Sequence, residues 1–151
     1  MQQHQIALIR SSWEKVLPIA AVAADIFYTK LFELDPSLRG LFPNDLSEQK
    51  VKLMATLGRV VSSLDDPTFI PAVEALGRKH VKYGVRPEHY TTVGAALLAT
   101  LETGLGEAWT PEVRTAWVTA FGGLSQTMML AGGSSRSGVH RFQLSLQQAG
   151  A

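Results

Sequence analysis

A histidine occupies what would ordinarily be a leucine position in the apolar stripe of one predicted helix. Four residues share this helix face, at spacings of four, three and four: Phe69, Val73, Leu76 and His80. Such spacing is typical of an amphipathic helix that packs on a core. Three of the four are ordinary core residues, whereas His80 would carry a nitrogen ligand into the interior. A lone histidine of this kind is more often hydrogen-bonded to a carbonyl than a ligand, so its neighbours must decide its role.

The rest of the chain also has apolar residues at helical spacing, and no segment alternates like a strand between hairpin turns. The sequence therefore predicts an all-α fold with about six main helices. The second helix is marked by Ile19, Val22 and Ile26. Asp45, with Glu48 three residues later, predicts a capping box for the third. Pro71 indicates either a first-turn position in the His80 helix or a break into two short helices.

Composition narrows the classes of function. The chain has 151 residues, of which 46% are hydrophobic and 18% charged, and its net charge is +1. This balance gives no case for nucleic-acid binding. The chain has no cysteine, which excludes disulfides, thiolate zinc sites and iron–sulfur ligation. No apolar run approaches the roughly 20 residues of a membrane helix, and the first five residues do not resemble a signal peptide. These features favour a soluble, cytoplasmic protein.

Two regions differ in composition. Residues 1–131 carry the predicted helices and are expected to form one domain. Residues 132–151 begin with glycine and serine, contain Arg136, His140 and Arg141 but no acid, and are predicted to be a polar, flexible tail.

Several motifs in order resemble the globin family. The segments Phe27–Phe32, Asp35-Pro36 and Leu41-Phe42 are similar to the second and third helices of bacterial single-domain haemoglobins and flavohaemoglobin globin domains. Gln49–Met54 resembles their distal helix. Lys79-His80, Tyr83-Gly84-Val85 and His89-Tyr90 resemble their proximal helix and its exit. Neuroglobins are similar along the same stretch, about residues 5–131. The resemblance implies a globin fold of six to eight helices around haem b (iron protoporphyrin IX).

The resemblance also implies roles for individual residues. His80 would be the proximal iron ligand, with its second ring nitrogen bonded to a backbone carbonyl, that of Leu76 being the expected acceptor. Phe42 would contact the porphyrin face, and Lys52 could reach a haem propionate. The remaining predicted haem contacts are apolar or aromatic: Leu53, Leu76, Tyr83, Val85, Tyr90, Val93 and Leu97. Each of the apolar residues, taken alone, is more often an ordinary core residue than part of a cofactor wall.

Tyr28 and Gln49 form the predicted distal pair. Gln49 occupies the position where the family often has a histidine, and an amide is a poor iron ligand. A tyrosine hydroxyl and a glutamine amide can both donate a hydrogen bond to bound oxygen. Hydrogen bonds to charged acceptors contribute about 1.5–3 kcal/mol each, which would raise oxygen affinity roughly ten- to a hundredfold.

The proximal side departs from the family pattern. Flavohaemoglobins have a glutamate on the last helix and a tyrosine on the preceding one that bond toward the proximal histidine. Tyr90 matches the tyrosine, but the glutamate position falls near Gly132, and no Asp or Glu follows Glu112. We therefore expect a more neutral His80 imidazole, with an iron–histidine stretching frequency below the strongly anionic range.

Three functions remain open at this stage. The first is reversible binding of oxygen, nitric oxide or carbon monoxide, by a monomer or a homodimer. The second is a nitric oxide dioxygenase, which would need a separate reductase as partner and would form nitrate continuously. The third is a gas-sensing or interaction globin, including a haem-free scaffold that would show no Soret band.

Overall fold

The structure is a computed structural model that describes residues 1–134. This part of the chain forms six α-helices. They are α1 (Gln3–Val16), α2 (Ala20–Leu34), α3 (Ser47–Ser62), α4 (Phe69–Lys82), α5 (Pro87–Leu105) and α6 (Pro111–Ala131). Short 3₁₀ turns lie at Leu17–Ile19, Pro36–Leu41 and Gly106–Ala108. These residues contain no strand, which confirms the all-α class. The predicted flexible tail falls almost entirely on residues 135–151, outside the described part.

Local signals explain the start of α6 and the course and end of α4. Thr110 precedes α6, and its hydroxyl accepts a hydrogen bond from the Val113 amide at 3.2 Å. This bond satisfies one of the amides that the first turn leaves without a helical partner. Pro71 lies in the first turn of α4, so the helix continues through it without a break. Gly84 follows α4 with a φ of +84°, a left-handed conformation that glycine adopts without steric cost.

Two local predictions are wrong. Asp45 does not cap α3 together with Glu48: its carboxylate accepts bonds from the Ser47 amide and hydroxyl, and the helix begins at Ser47. A short aspartate turn competes here with the capping box. Val22 does not lie on the buried face of α2 but is 55% exposed. The helix instead buries a face that begins with two alanines, whose small side chains allow a neighbouring helix to approach closely: Ala23, Ala24, Phe27, Tyr28 and Leu31.

Two helix pairs form the largest contacts among the described elements, α2 with α5 and α4 with α6. Helix α1 packs across α6, where the rings of Trp13 and Trp117 lie 6.3 Å apart. The Trp117 indole N–H donates to the buried Ser12 hydroxyl at 2.9 Å, so the polar atom of this tryptophan is satisfied inside the core. None of the helices in residues 1–134 has the length and apolar character of a membrane span.

Helices α3 and α4 pack on other helices rather than on each other. Helix α3 contacts α2 and α1, and α4 contacts α6. Arg10 of α1 holds the end of α3, because its guanidinium donates to the Val61 and Ser62 carbonyls and forms an ion pair with Asp65 at 2.9 Å. The apolar stripe of each helix therefore stays half-buried, and few of its residues are fully covered.

The cap of α6 gives the first prediction. Replacing Thr110 by alanine removes the bond to the Val113 amide, and we expect the free energy of unfolding to fall by about 1 kcal/mol. Thr110→Ser keeps the hydroxyl, so its free energy of unfolding should differ from that of the wild type by only about a few tenths of a kcal/mol. Denaturant titration measures both values. Equal stability of the alanine and serine variants would show that the cap contributes nothing.

Candidate functional site

His80 lies half-buried on α4, and its ring is fixed by the helix itself. The imidazole Nδ1 is 2.8 Å from the carbonyl oxygen of Leu76, one turn earlier, as the sequence predicts. A carbonyl can only accept a hydrogen bond, so Nδ1 carries the proton. In the neutral ring Nε2 then keeps its lone pair, which is the form that binds a metal ion.

The backbone of His80 is held as well as its ring. Its carbonyl accepts bonds from the Tyr83 amide at 3.0 Å and the Val85 amide at 3.1 Å, while the Gly84 amide donates to the Val81 carbonyl. This pattern is a Schellman motif, which depends on the left-handed Gly84. His80 thus has little freedom to move relative to the end of α4.

Tyr28 lies on α2 at the centre of an aromatic cluster and is 4% exposed. Its ring meets Phe27 and Phe42 edge-on at centroid distances of 5.1 and 5.6 Å, and Phe32 lies 6.0 Å away. Such pairs stabilise beyond the area that they bury and fix the ring plane. Burial also raises the pKa of the Tyr28 hydroxyl to about 12, so that it remains a proton donor near neutral pH.

The structure brings Tyr28 and Gln49 together. The Tyr28 hydroxyl donates to the backbone carbonyl of Gln49 at 3.5 Å, which is long for an O–H···O bond and therefore weak. Next to Gln49, Lys50 forms an ion pair with Asp25 of α2 at 2.9 Å. This pair ties the start of α3 to the helix that carries Tyr28. Gln49 itself is half-buried, with its side chain on the first turn of α3.

Arg39 positions Phe42, a role that the sequence did not indicate. Its guanidinium donates to the carbonyls of Pro43 and Asn44 at 2.8 Å each and lies 5.4 Å from the Phe32 ring centroid. The loop that follows Phe42 is thereby fixed against the aromatic cluster, and the Phe42 ring packs between Tyr28 and Phe32. These bonds depend on the geometry of the loop, so no pattern in the sequence predicted them.

The predicted apolar contacts come from α3, α4, α5 and the turn between α4 and α5. Four of them are half-buried, and Leu97 on α5 is buried: Leu53 on α3, Leu76 on α4, Val85 in the turn and Val93 on α5 are the half-buried ones. Leu53 and Leu97 also border an apolar cavity of about 10 Å³. The other residues that line it come from α1, α2, α3 and α5: Trp13, Val16, Ala23, Phe27, Met54, Leu57, Thr100 and Leu101. Sequence reasoning did not select these residues, because each is an ordinary core position.

Two predicted haem contacts lie at the surface. Tyr83, which follows α4 directly, is 65% exposed. Lys52 is exposed on α3. Tyr90, in contrast, is buried on α5, and burial raises the pKa of its hydroxyl to about 12. Among the predicted haem contacts, Tyr83 and Lys52 are thus exposed, whereas Tyr90 and the apolar ones are buried or half-buried.

The donor set suits one kind of metal centre. Within residues 1–134 there is no group of three or more histidine, cysteine, aspartate or glutamate side chains that could hold a metal ion. His80 offers a single imidazole on an apolar face. Haem iron already has four macrocycle nitrogens and takes one further protein ligand from such a position. The residues around His80 therefore fit a haem.

Comparison with known proteins gives the family. The globin family model matches residues 25–128, which is more than half of the chain. The chain is 35% identical to neuroglobin of Danio rerio over 149 residues, covering 89% of this chain and 92% of that protein. It is 39% identical to a flavohemoprotein of Bordetella parapertussis over 107 residues, 68% of this chain but only 27% of that protein.

A flavohemoprotein of Rhodopirellula baltica is 32% identical over 120 residues, with 74% of this chain and 29% of that protein matched. The chain thus spans less than a third of the flavohemoproteins but most of the neuroglobin. The matched stretch contains Tyr28, Gln49 and His80 within the family model, on helices arranged as described above. The chain therefore belongs to the globin family.

Proposed function

We propose that this globin binds haem b through His80 and reversibly binds diatomic gases, with oxygen retained by Tyr28 and Gln49. The observation that carries the proposal is the His80 ring, whose Nδ1 is bonded to the Leu76 carbonyl so that Nε2 is left with a lone pair. Membership of the globin family supports haem-based gas binding. The choice of oxygen rests on Tyr28 and Gln49 of this chain, and haem b is what the resemblance to globins implies.

The half-buried apolar faces support a bound flat group. Leu53, Leu76 and Val93, three of the predicted haem contacts, are large apolar side chains, yet each is only partly covered by protein. Removing apolar surface from water stabilises by about 25 cal/mol per Å². A macrocycle beside these side chains would bury them further, while His80 supplies the axial bond. Arg39 would keep Phe42 in place at the edge of the same site.

Tyr28 and Gln49 would act on the gas itself. Haem iron, when bound, provides the coordination position for a diatomic ligand. The Tyr28 hydroxyl is protonated and makes a weak bond of 3.5 Å, so turning toward a stronger acceptor costs little. Its ring cannot move far, because three phenylalanines surround it. The Gln49 amide, on the first turn of α3, would be the second donor.

The proximal side favours holding a ligand over activating it. Tyr90 is buried on α5, but the chain has no carboxylate after Glu112, so α6 cannot supply an anionic partner to His80 from its last turns. The Leu76 carbonyl is a neutral acceptor and withdraws the Nδ1 proton only weakly. We infer a neutral imidazole that donates less electron density to iron than a carboxylate-bonded one.

A nitric oxide dioxygenase is the second candidate, because the same distal pair is compatible with it. Nitric oxide and oxygen would combine to nitrate, and each turnover would consume one electron. The donor would be a separate reductase, of a kind that the flavohemoprotein relatives suggest by name. Continuous nitrate formation with an added reductase, compared with a single stoichiometric event without one, separates this candidate from gas storage.

The first test concerns His80. We expect His80→Ala to lose the Soret absorption of the purified protein or to shift it strongly, because the axial bond is gone. His4→Ala is the matched control, since His4 is exposed on α1. Absorption spectra of the ferric and ferrous forms measure the effect. A Soret band of His80→Ala that coincides with the wild-type band would contradict the assignment of the iron ligand.

The second test concerns Tyr28. Removing its hydroxyl in Tyr28→Phe should accelerate oxygen dissociation roughly ten- to a hundredfold, the value of one hydrogen bond to a charged acceptor. Tyr83→Phe should leave the rate unchanged, because Tyr83 is 65% exposed. Stopped-flow displacement of oxygen by carbon monoxide measures the rates. If both variants release oxygen at the wild-type rate, Tyr28 does not retain the ligand.

The third test uses alkaline pH. The ordinary pKa of tyrosine is 10.0, and burial raises that of Tyr28 to about 12 in the folded protein. The unfolded chain therefore releases this proton first, and the stabilising effect of the neutral hydroxyl is lost between about pH 10 and pH 12. We expect the free energy of unfolding of Tyr28→Phe to fall less steeply over this range than that of Tyr83→Phe. Parallel curves would show that Tyr28 is not the group that titrates.

A further inference from the structure

Helix α4 meets α6 backbone to backbone at Gly77, three residues before His80. A Cβ built on Gly77 would lie 2.5 Å from the Met128 Cα and 2.8 Å from its carbonyl carbon, and it would overlap the Met128 carbonyl oxygen. Carbon atoms that are not bonded pack at about 3.5–4.0 Å. Every one of these obstacles is backbone, so no change of side-chain rotamer can make room. At this helix separation residue 77 must be glycine.

A second close approach lies on the other side of His80. A Cβ on Gly132, at the end of α6, would lie 2.5 Å from Val81 Cγ2 and 3.5 Å from the Gly77 carbonyl oxygen. Val81 follows His80 directly in the sequence. The two glycines therefore set the distance between α4 and α6 three residues before and one residue after the residue that we assign to iron.

Backbone conformation does not explain why residue 77 is a glycine. The glycines with positive φ in residues 1–134 are Gly84, Gly106 and Gly133, so Gly77 has an ordinary helical φ. In such a position glycine destabilises a helix by about 1 kcal/mol relative to alanine. Close contact with α6 is what the missing side chain makes possible.

We propose that Gly77 is a positioning residue for the His80 imidazole, and this inference rests on the proposed haem ligation. An alanine would force α4 and α6 apart by roughly 1 Å to restore ordinary contact. Ligand sites tolerate displacements of about 0.5 Å. His80 cannot absorb the shift by turning, because its ring is bonded to the Leu76 carbonyl and its own carbonyl accepts two amides. A displacement of α4 would therefore change the position of the imidazole relative to the iron.

The test compares Gly77→Ala with Gly123→Ala in the haem-loaded ferrous protein. Gly123 lies exposed on α6, and a Cβ there would meet no atom within 4 Å. Resonance Raman spectroscopy reports the iron–histidine stretching band. We expect Gly77→Ala to shift or split this band, whereas Gly123→Ala should superimpose on the wild type. Thermal unfolding of each apoprotein measures the cost to the fold separately.

A background without the covalent link isolates the positioning effect. In His80→Gly supplied with free imidazole, the iron ligand is no longer attached to α4, so adding Gly77→Ala should leave the iron–imidazole band unchanged. If Gly77→Ala lowers only the stability of the apoprotein and leaves the band of the His80 protein in place, Gly77 is a packing residue and the inference is overturned.

Two further outcomes are distinguishable. If His80→Gly without imidazole keeps the wild-type band, His80 is not the ligand, and the proposed function fails before Gly77 is tested. If Gly77→Ala does not fold, Gly132→Ala decides, because its Cβ meets the Val81 side chain, whose restricted rotation passes only part of the strain to α4. A smaller band shift in Gly132→Ala supports the inference, and an unchanged band contradicts it.

Discussion

The hydrogen bond between His80 Nδ1 and the Leu76 carbonyl is the interaction on which the site depends. It decides the tautomer of the ring, so that the lone pair is on Nε2, and it fixes the ring plane along α4. The ring needs no contact with another helix to hold this orientation, because donor and acceptor lie one turn apart on α4. The position of the His80 ring therefore follows the position of α4. The contacts of α4 with the rest of the structure determine where that is.

Two different kinds of contact hold the helices on either side of the site. Helix α4 is fixed by its backbone contact with α6 at Gly77, a packing interaction that has no tolerance for added volume. Helix α3 is fixed at its two ends by charged groups, Lys50 with Asp25 and Arg10 with Asp65. Exposed ion pairs contribute little stability and can rearrange. Under the proposed function, α4 would be the more firmly packed helix beside the iron ligand, and α3 would be the more adaptable helix on the gas-binding side.

Periodicity predicted the helices and placed His80 on an inward face, because burial of one helix face leaves a repeat that a single sequence displays. It failed at Val22, because the buried face of α2 begins instead with the two alanines Ala23 and Ala24. The role of Arg39 and the close contact of Gly77 were not predictable. The first depends on loop carbonyls, and the second on a partner 51 residues away in the sequence.

The close contacts around Gly132 bear on the absence of an acidic residue at the end of α6. The family pattern places an acid near this position, where it would bond toward the proximal histidine, yet here even a Cβ would lie 2.5 Å from Val81. Any side chain at position 132 would have to displace Val81, the residue that follows His80. Glycine there lets the end of α6 lie close to α4, and it leaves that end without a carboxylate toward His80. Under the proposed function, this combination favours a neutral imidazole and retention of a gas over its activation.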